Sequence, residues 1–342
     1  MTQSFQKIAV ITGDHHLPDT TKRNAQYNEE DRSTHVAMMT AFQSWPDYDF
    51  EFIDDHRALL KQIRSHPPDL VVNFCDTGFR NQASQELNIP AYLEILGIPY
   101  TGAPPSAMVI CYDKAIVRLV AQSHGVSVPQ EQFLGTNLLT QSFPLVFPAL
   151  IKPNTADGSV GITKDSVVRS WQEANTYVAW LHETLPGCDI LIQEYLPGPE
   201  YGIGVIGNIE TGLRIFPTLE VDFSRLPSGL NPILSFESKA YPDSPYWTDI
   251  QFKKAILPTE VEAKMQGWVR TLFKRFGLRD YARFDFRVGA DGEPKLMEVN
   301  PNPAWANDGK LAFMAGFAEM EYRDMLQDIL QSAIKRLSKR SK

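Results

Sequence analysis

Two short segments in the last third of the chain carry the side chains best suited to holding a metal ion. In RFDFRV the alternation of a strand places Arg283, Asp285 and Arg287 on one face, and in MEVN it places Glu298 and Asn300 on one face. The turn ADGE joins the segments as a hairpin. Oxygens of the last two residues and of Asp285 can therefore converge, as a hard cation bridging phosphates requires. We expect magnesium with a nucleotide here; the alternative is a solvent-facing hairpin with ordinary charges.

A glycine-containing loop follows another predicted strand and is suited to phosphate. In ALIKPNTADGSVGI, Lys152 ends the apolar strand, and Gly158, Ser159 and Gly161 lie in the loop after it. Glycines allow the backbone to approach phosphate closely. The loop lacks GxxxxGK[ST], and TGDHHLPD and GIGVIGN lack the full GxGxxG fingerprint, so P-loop nucleotidases and Rossmann dehydrogenases are disfavoured.

A Pro/Gly turn in LIQEYLPGPEYGIGV follows a predicted buried strand. The turn exposes the backbone and the side chains of Gln193, Glu194 and Glu200. Such a linker can hydrogen-bond the edge of a purine and a ribose. These residues are therefore candidates for nucleotide binding.

Strands and helices are predicted to alternate in the first hundred residues. KIAVITG and DLVVNFCD are apolar runs typical of buried parallel strands, and residues 30–43 and 56–64 carry apolar side chains at helical spacing. This alternation predicts an open parallel α/β sheet. NIPAYLEILG predicts a helix that stops at Gly97, and a Pro/Gly-rich connection leads to a helix beginning near Tyr112. We expect a lobe boundary near residue 110.

The pattern changes from Phe143, where strands joined by short turns predict an α+β lobe. Further on, a passage rich in Pro, Ser and Tyr, residues 224–250, is a candidate lid. A helix over about 258–276, the hairpin described above and a final helix complete the chain. The three predicted lobes span residues 1–110, 111–193 and 194–342.

The composition limits the classes of partner. The chain has 342 residues and a formal net charge of −8, unlike a general binder of nucleic acid or membrane surfaces, which needs clustered positive charge. Cys75, Cys111 and Cys188 are widely spaced and indicate neither a disulfide framework nor a zinc site. The apolar stretch near the amino terminus is too short for a signal peptide. We expect a cytoplasmic protein that binds neither nucleic acid nor a membrane.

The order of these motifs resembles that of the ATP-grasp superfamily, and closely its D-alanine–D-alanine ligase branch. The chain carries in order LEILGIPYTG, YDK, IKP with GSVG, QEYLPGPE, ESK, RFDF and MEVNPNP. The match covers nearly the whole chain and is highly specific as a combination. The resemblance implies a three-lobed ATP-grasp fold, α/β and α+β, whose first lobe is an open parallel sheet.

The resemblance also implies where ATP lies. Two lysines match those that reach its phosphates. Gln193 would read the adenine amino group, where many relatives carry Glu, the backbone of 194–196 would read the ring edge, and Glu200 would accept the ribose hydroxyls. The nucleotide-binding candidates are Lys114, Lys152, Ser159, Gln193, Glu194, Leu196 and Glu200.

The implied reaction has two steps. A substrate carboxylate attacks the γ-phosphate of ATP to give an acyl phosphate and ADP, and an amine then attacks the acyl carbon and releases phosphate. Lys239 matches the lysine of a mobile loop that closes over the phosphates, and Arg283 is placed to stabilise the oxyanion. Glu30, beside Glu29, best matches the glutamate that holds the first substrate. Two magnesium ions, with manganese as the alternative, would be held by Asp285, Glu298 and Asn300.

Several substrate-binding positions depart from the family pattern. Gly158 stands at the usual serine position and Ala240 at the usual tyrosine position, although Tyr241 is one residue away. On the acceptor side, the unusual residues are Ala304, Trp305, Asp308, Gly309 and Lys310. Trp305 and Asp308 would add bulk and charge to the pocket; the alternative is that Trp305 packs on the edge of the sheet.

The resemblance implies an ATP-dependent carboxylate–amine ligase whose substrates are amino acids. The departures indicate that these substrates are not two D-alanines. A genuine D-alanine–D-alanine ligase of cell-wall synthesis and a catalytically inactive nucleotide-binding regulator are the alternatives. Substrate identity, stereochemistry and the homodimer common among relatives are left open.

Overall fold

The computed structural model describes residues 5–135 and 146–340. The elements of its first unit are β1 (Lys7–Ile11), α1 (Glu29–Gln43), β2 (Asp49–Ile53), α2 (His56–Ser65), β3 (Leu70–Asn73) and α3 (Asn88–Leu96). The three strands form a parallel sheet in the order β2-β1-β3. The central strand β1 and its neighbour β3 are almost entirely buried, as expected of parallel strands covered on both faces. The predicted open parallel sheet is confirmed.

The ends of these helices follow from local sequence. Asn28 and Asp31 form a reciprocal capping box at the start of α1, where they satisfy two backbone N–H groups. Gly97 adopts φ of 69° after α3, in the left-handed region that glycine favours. One helix was expected to begin near Tyr112, but the structure has two helices here. The first begins at Pro105 and the second begins at Lys114. Proline is favourable in the first turn of a helix, which explains the earlier start.

A second, antiparallel sheet follows in the chain. The next elements are α4 (Pro105–Tyr112), α5 (Lys114–Ser123), β4 (Glu131–Leu134), β5 (Ala149–Pro153), β6 (Val167–Val168), α6 (Trp171–Thr184) and β7 (Ile190–Glu194). Four strands pair in the order β4-β7-β5-β6, and α6 buries Tyr177 and Leu181 against them. The change predicted at Phe143 falls partly outside the described residues, since 143–145 are among those not described.

The third unit contains the largest sheet. Its elements are β8 (Glu200–Asn208), β9 (Gly212–Ile215), β10 (Leu219–Asp222), α7 (Glu237–Ala240), α8 (Pro245–Thr248), β11 (Gln251–Lys254), α9 (Thr259–Arg275), β12 (Tyr281–Val288), β13 (Pro294–Asn300), α10 (Lys310–Phe317) and α11 (Tyr322–Arg340). The strands are antiparallel in the order β11-β10-β8-β12-β13, with β9 on β8. The predicted hairpin, the helix near 258–276 and the final helix are confirmed.

Two apolar cores cover the large sheet. One contains side chains of α4, α5 and α9, so the helices that precede the second sheet pack on the third unit. The other contains side chains of α10 and α11 together with α1, β1 and β3 of the first unit. The first and third units therefore share one core. The lobe limits at residues 110 and 193 stay predictions.

A buried ion pair of the third unit also contacts the first unit. Arg336 of α11 donates to both carboxylate oxygens of Asp280, at 2.9 and 2.7 Å, and to the carbonyl of Tyr100, at 2.8 Å. Asp280 also accepts the backbone N–H of Gly102 at 2.9 Å. The last helix is thus fastened to the first unit. Among the residues that the structure describes, no helix combines the length and apolar character needed to span a bilayer.

Candidate active site

A cleft of about 910 Å³ is lined by residues from all three units. From the first unit, Thr12 and Asp76 lie just beyond the carboxyl ends of β1 and β3, which is where parallel sheets commonly bind ligands. The other units contribute residues of β5, β7, β12 and β13. Every residue that the sequence named as catalytic, nucleotide-binding or metal-binding lines this cleft.

The register of β12 and β13 places the candidate metal ligands side by side. Asp285 stands opposite Glu298, and Arg283 stands opposite Asn300. The amide nitrogen of Asn300 lies 3.3 Å from Oδ2 of Asp285 and 3.4 Å from Oε1 of Glu298. The convergence expected from strand alternation is therefore present in the structure.

Strong charges surround Asp285, which is 2% exposed. Arg283 binds it with two prongs, Nε to Oδ1 at 2.9 Å and Nη2 to Oδ2 at 2.9 Å, and Nζ of Lys310 lies 3.9 Å from Oδ2. Burial raises the pKa of the Asp285 carboxyl, but the charges of Arg283 and Lys310 outweigh burial and hold the pKa well below its usual value. Asp285 is therefore ionised at neutral pH.

The donor set fits a hard divalent cation. It comprises two carboxylates and one carboxamide, and oxygen is the ligand atom that magnesium prefers. The two ends of a carboxamide are distinguished by their hydrogen bonds, so rotating the Asn300 amide would direct its oxygen between the two carboxylates. Asp285, Glu298 and Asn300 can thus present three oxygens to one ion.

Two lysines concentrate positive charge beside these acids. Lys114 begins α5, and its Nζ donates to the carbonyl of Ala156 at 2.6 Å, in the loop after β5. Lys152 lies in β5 and is 4% exposed. Burial, and then the charge of Lys114, lower the pKa of Lys152. The two ammonium groups suit an anionic ligand, which would relieve their mutual repulsion.

The predicted lid passage, residues 224–250, contacts the glycine-containing loop that follows β5. Ser159, at φ of 60°, donates its hydroxyl to the carbonyl of Leu234 at 2.9 Å. Gly158, at φ of 63°, lies so close to the first unit that a Cβ would stand 3.0 Å from Cβ of Thr21. Glycine at the usual serine position therefore permits a close approach between the second and first units.

Lys239 projects from α7 into the cleft. Its side chain is reached by solvent through the cleft, but the surrounding walls bury enough of it to lower its pKa to about 8, with Lys310 contributing in the same direction. The charge on Lys239 is thus sensitive to pH just above neutrality. Whether residues 224–250 move stays a prediction.

The adenine- and ribose-binding candidates lie between the end of β7 and the start of β8, in residues 193–200, which we call the hinge. Its polar side chains are held by neighbouring charges. The amide nitrogen of Gln193 donates to Glu131 at 2.9 Å, and Glu194 accepts from Lys295 at 2.7 Å. Leu196 is 3% exposed and Glu200 is 5% exposed. This part of the cleft offers apolar surface beside fixed polar groups, which suits a base and a sugar.

The first-unit end of the cleft has a different character. Glu30 is exposed in the first turn of α1. Trp305 is 9% exposed, stacks on Phe74 with ring centroids 5.7 Å apart, and donates its indole N–H to the carbonyl of Phe74 at 2.7 Å. Burial lowers the pKa of His15, which also lines the cleft, so it adds no charge at neutral pH.

Asp76 and Arg287 are two of the charged cleft residues that received no role from the sequence. Burial raises the pKa of Asp76 to about 6, and Lys22 opposes that shift. A signal for Asp76 was available, because it follows a buried parallel strand. Arg287 shares the face of Asp285 and is 4% exposed. Its position on that face was predicted, whereas its contacts were not.

Solved structures share this fold. The D-alanine–D-alanine ligase from Bacillus anthracis complexed with ATP superimposes with a TM-score of 0.72 at 20% sequence identity, over 98% of this chain and 100% of that chain. The VanG D-Ala:D-Ser ligase from Enterococcus faecalis gives 0.68 at 19% identity, over 96% and 100%. The fold is the three-lobed ATP-grasp fold, α/β and α+β, as predicted.

Sequence comparison gives the family. The model described as D-ala D-ala ligase C-terminus matches residues 130–331, more than half of the chain. A D-alanine–D-alanine ligase of Bordetella petrii is 26% identical over 243 residues, which are 70% of this chain and 70% of the relative. The protein is thus an ATP-dependent ligase that forms a C–N bond. It belongs to the D-alanine–D-alanine ligase family.

Proposed function

We propose that this ligase joins a small carboxylate substrate, by preference an amino acid, to an amine. We further propose that the two substrates are not both D-alanine. The observation that carries the proposal is the division of the cleft. One part collects the lysines, the adenine- and ribose-binding candidates and the oxygen ligands suited to ATP, and the first-unit end carries Asp76 and Trp305, which packs on Phe74. The VanG relative, a D-Ala:D-Ser ligase, has this fold with a second substrate other than D-alanine.

In the proposed nucleotide site, Lys114, Lys152 and Lys239 bind the phosphates. Ser159 and its loop approach them through backbone N–H groups. Gln193 and the backbone of 194–196 bind adenine, and Glu200 accepts the ribose hydroxyls. The support for these roles is that all of these side chains line the same cleft.

In the proposed reaction, a carboxylate oxygen attacks the γ-phosphorus and ADP leaves. The amine then attacks the carbonyl carbon of the acyl phosphate, loses a proton, and expels phosphate. Arg283 stabilises the oxyanion, and the lysines offset charge on the transferring group. Magnesium held by Asp285, Glu298 and Asn300 would neutralise charge on the phosphate oxygens. No nucleophilic side chain is required, because positioning and charge supply the catalysis.

The substrate proposal rests on charge at the first-unit end. Glu30 and Asp76 belong to the first unit and line the cleft, and Lys22, whose charge acts on Asp76, is already paired with Asp31 at 2.5 Å. Carboxylates that lack enough cationic partners favour a substrate with an ammonium group. An amino acid supplies that group next to the carboxylate that is activated.

A phosphate-release screen tests the proposal. D- and L-amino acids and small carboxylic acids are supplied in pairs with ATP and Mg²⁺, and products are identified by mass. Omitting the amine measures background hydrolysis of ATP. We expect an amide from a pair other than two D-alanines. Turnover with D-alanine alone would show a genuine D-alanine–D-alanine ligase, and absence of ADP with every pair would show an inactive nucleotide-binding regulator.

A further inference from the structure

Arg287 stands directly opposite Glu200 in the register of β12 and β8. The two side chains are 4% and 5% exposed, and Nη1 of Arg287 donates to Oε2 of Glu200 at 3.4 Å. A cross-strand pair of opposite charges restricts both side chains. The orientation of Glu200, the proposed ribose acceptor, therefore depends on Arg287.

The same guanidinium reaches the passage over residues 224–250. Nη2 donates to the carbonyl of Pro232. The rings of Tyr195, in the hinge, and Phe223, just before the passage, lie 5.4 and 5.3 Å from Cζ of Arg287. One side chain thus contacts the hinge, the proposed ribose acceptor and the passage beside the cleft.

One donor of Arg287 is unused. Its Nε is buried and has no hydrogen-bond partner among the described residues. Buried donors are paired in the great majority of cases, since leaving one unpaired is costly. Arg287 also lines the cleft, so this unpaired donor belongs to a side chain beside the proposed nucleotide site.

We propose that Arg287 is a nucleotide-positioning residue, which orients Glu200 toward the ribose and fastens the 224–250 passage beside the nucleotide. This inference rests on the proposed ATP site. Lys310 lies 3.5 Å from Oε1 of Glu200, so the carboxylate keeps one cation when Arg287 is replaced. That ammonium comes from α10 and binds the other oxygen, so it does not reproduce the orientation that Arg287 imposes.

Nucleotide binding by Arg287→Met and Arg287→Lys tests the proposal. Calorimetry with Mg²⁺ measures affinity for ADP, 2′-deoxy-ADP and 3′-deoxy-ADP. We expect Arg287→Met to weaken ADP binding about 10- to 50-fold, and Arg287→Lys to weaken it less because it keeps the charge but not the planar fork. The matched control is Arg214→Met. Arg214 is 52% exposed and pairs with Asp328 at 3.4 Å, so we expect its replacement to change the affinity for ADP by less than about twofold.

The deoxynucleotides separate positioning from a structural role. Removing the ribose hydroxyl that donates to Glu200 should clearly weaken nucleotide binding to the wild type. The same removal should weaken binding to Arg287→Met much less. In steady state, the KM for ATP should rise in Arg287→Met with a smaller change in kcat. Thermal unfolding identifies a folding defect, in which case Arg287→Lys carries the comparison.

Unchanged ADP affinity in Arg287→Met overturns the proposal, and so does equal sensitivity of variant and wild type to loss of either ribose hydroxyl. These outcomes leave the ligase function intact. Failure of the wild type to bind ADP at all would instead remove the ATP site on which the proposal rests.

Discussion

The two ends of the cleft are built from different kinds of structure. At the end proposed to hold the metal, Asp285 lies within a strand, is 2% exposed, and is held by two nitrogens of Arg283. At the first-unit end, Glu30 is exposed at the start of a helix, and Asp76 lies in a loop after a strand. Strand register fixes the positions of Asp285 and Arg283. Loops, in contrast, can change length and composition with little effect on the sheets. The contrast suggests that the chemistry is constrained and that substrate selection is free to vary.

Asp285→Asn is the strongest test of that contrast. It removes a charge from the proposed metal site and leaves Arg283 without its acid, so we expect kcat to fall at least about 10³-fold. Asp222→Asn is the control, because Asp222 binds Lys253 at 2.9 Å and does not line the cleft. Steady-state phosphate release measures both. Retention of more than a tenth of wild-type kcat would contradict the metal assignment.

The pH dependence of ATP binding tests Lys239. Its pKa of about 8 means that the ammonium is present below pH 8 and is lost above it. We expect the KM for ATP to rise by up to about tenfold between pH 7 and pH 9, since a neutral amine no longer attracts phosphate. In Lys239→Arg the guanidinium stays charged over this range, and the rise should be absent. An identical rise in the variant would assign the effect to another group.

Glu30→Gln tests the first-unit end. It keeps the shape of the side chain and removes its charge, and exposure to water limits the effect, so we expect the KM for the carboxylate substrate to rise about 3- to 10-fold. The affinity for ADP should be unchanged. Glu29→Gln is the neighbouring control, because the side chain of Glu29 is 89% exposed. Equal effects of the two variants would show that Glu30 does not contact the substrate.

Trp305→Phe should have the smallest effect on turnover. Phenylalanine can keep the stacking on Phe74 but leaves the Phe74 carbonyl without its indole donor. We expect relative kcat/KM among amine substrates to change about two- to fivefold, with ADP affinity unchanged. A loss of ADP affinity would mean that the two ends of the cleft are not separable.

The sequence was informative where the interactions are local. Period-two alternation and one turn were enough to bring Asp285, Glu298 and Asn300 together, because a hairpin joins neighbouring segments. The parallel order of the first sheet also followed from strand–helix alternation. The resemblance to ligases then named the lysines and hinge residues, although their roles stay predictions.

Contacts between distant segments were beyond the sequence. Trp305 donates to Phe74, which is 231 residues away, and no periodicity links the two. The bond from Arg287 to Pro232 depends on how an irregular passage lies over the sheet. Proximity of Gly158 to Thr21 likewise requires two units to be placed first. Such contacts follow from packing of whole elements, which local patterns do not specify.

The pair of Arg336 and Asp280 has a mechanical consequence. It lies in the contact between the first and third units, which also share an apolar core, so these two units should move as one rigid body. If the second sheet rotates away from that body, the approach of Gly158 to Thr21 should be broken first. We expect ATP to enter through that gap while the wall formed by Trp305 and Phe74 stays fixed, so that nucleotide exchange does not disturb the substrate end of the cleft.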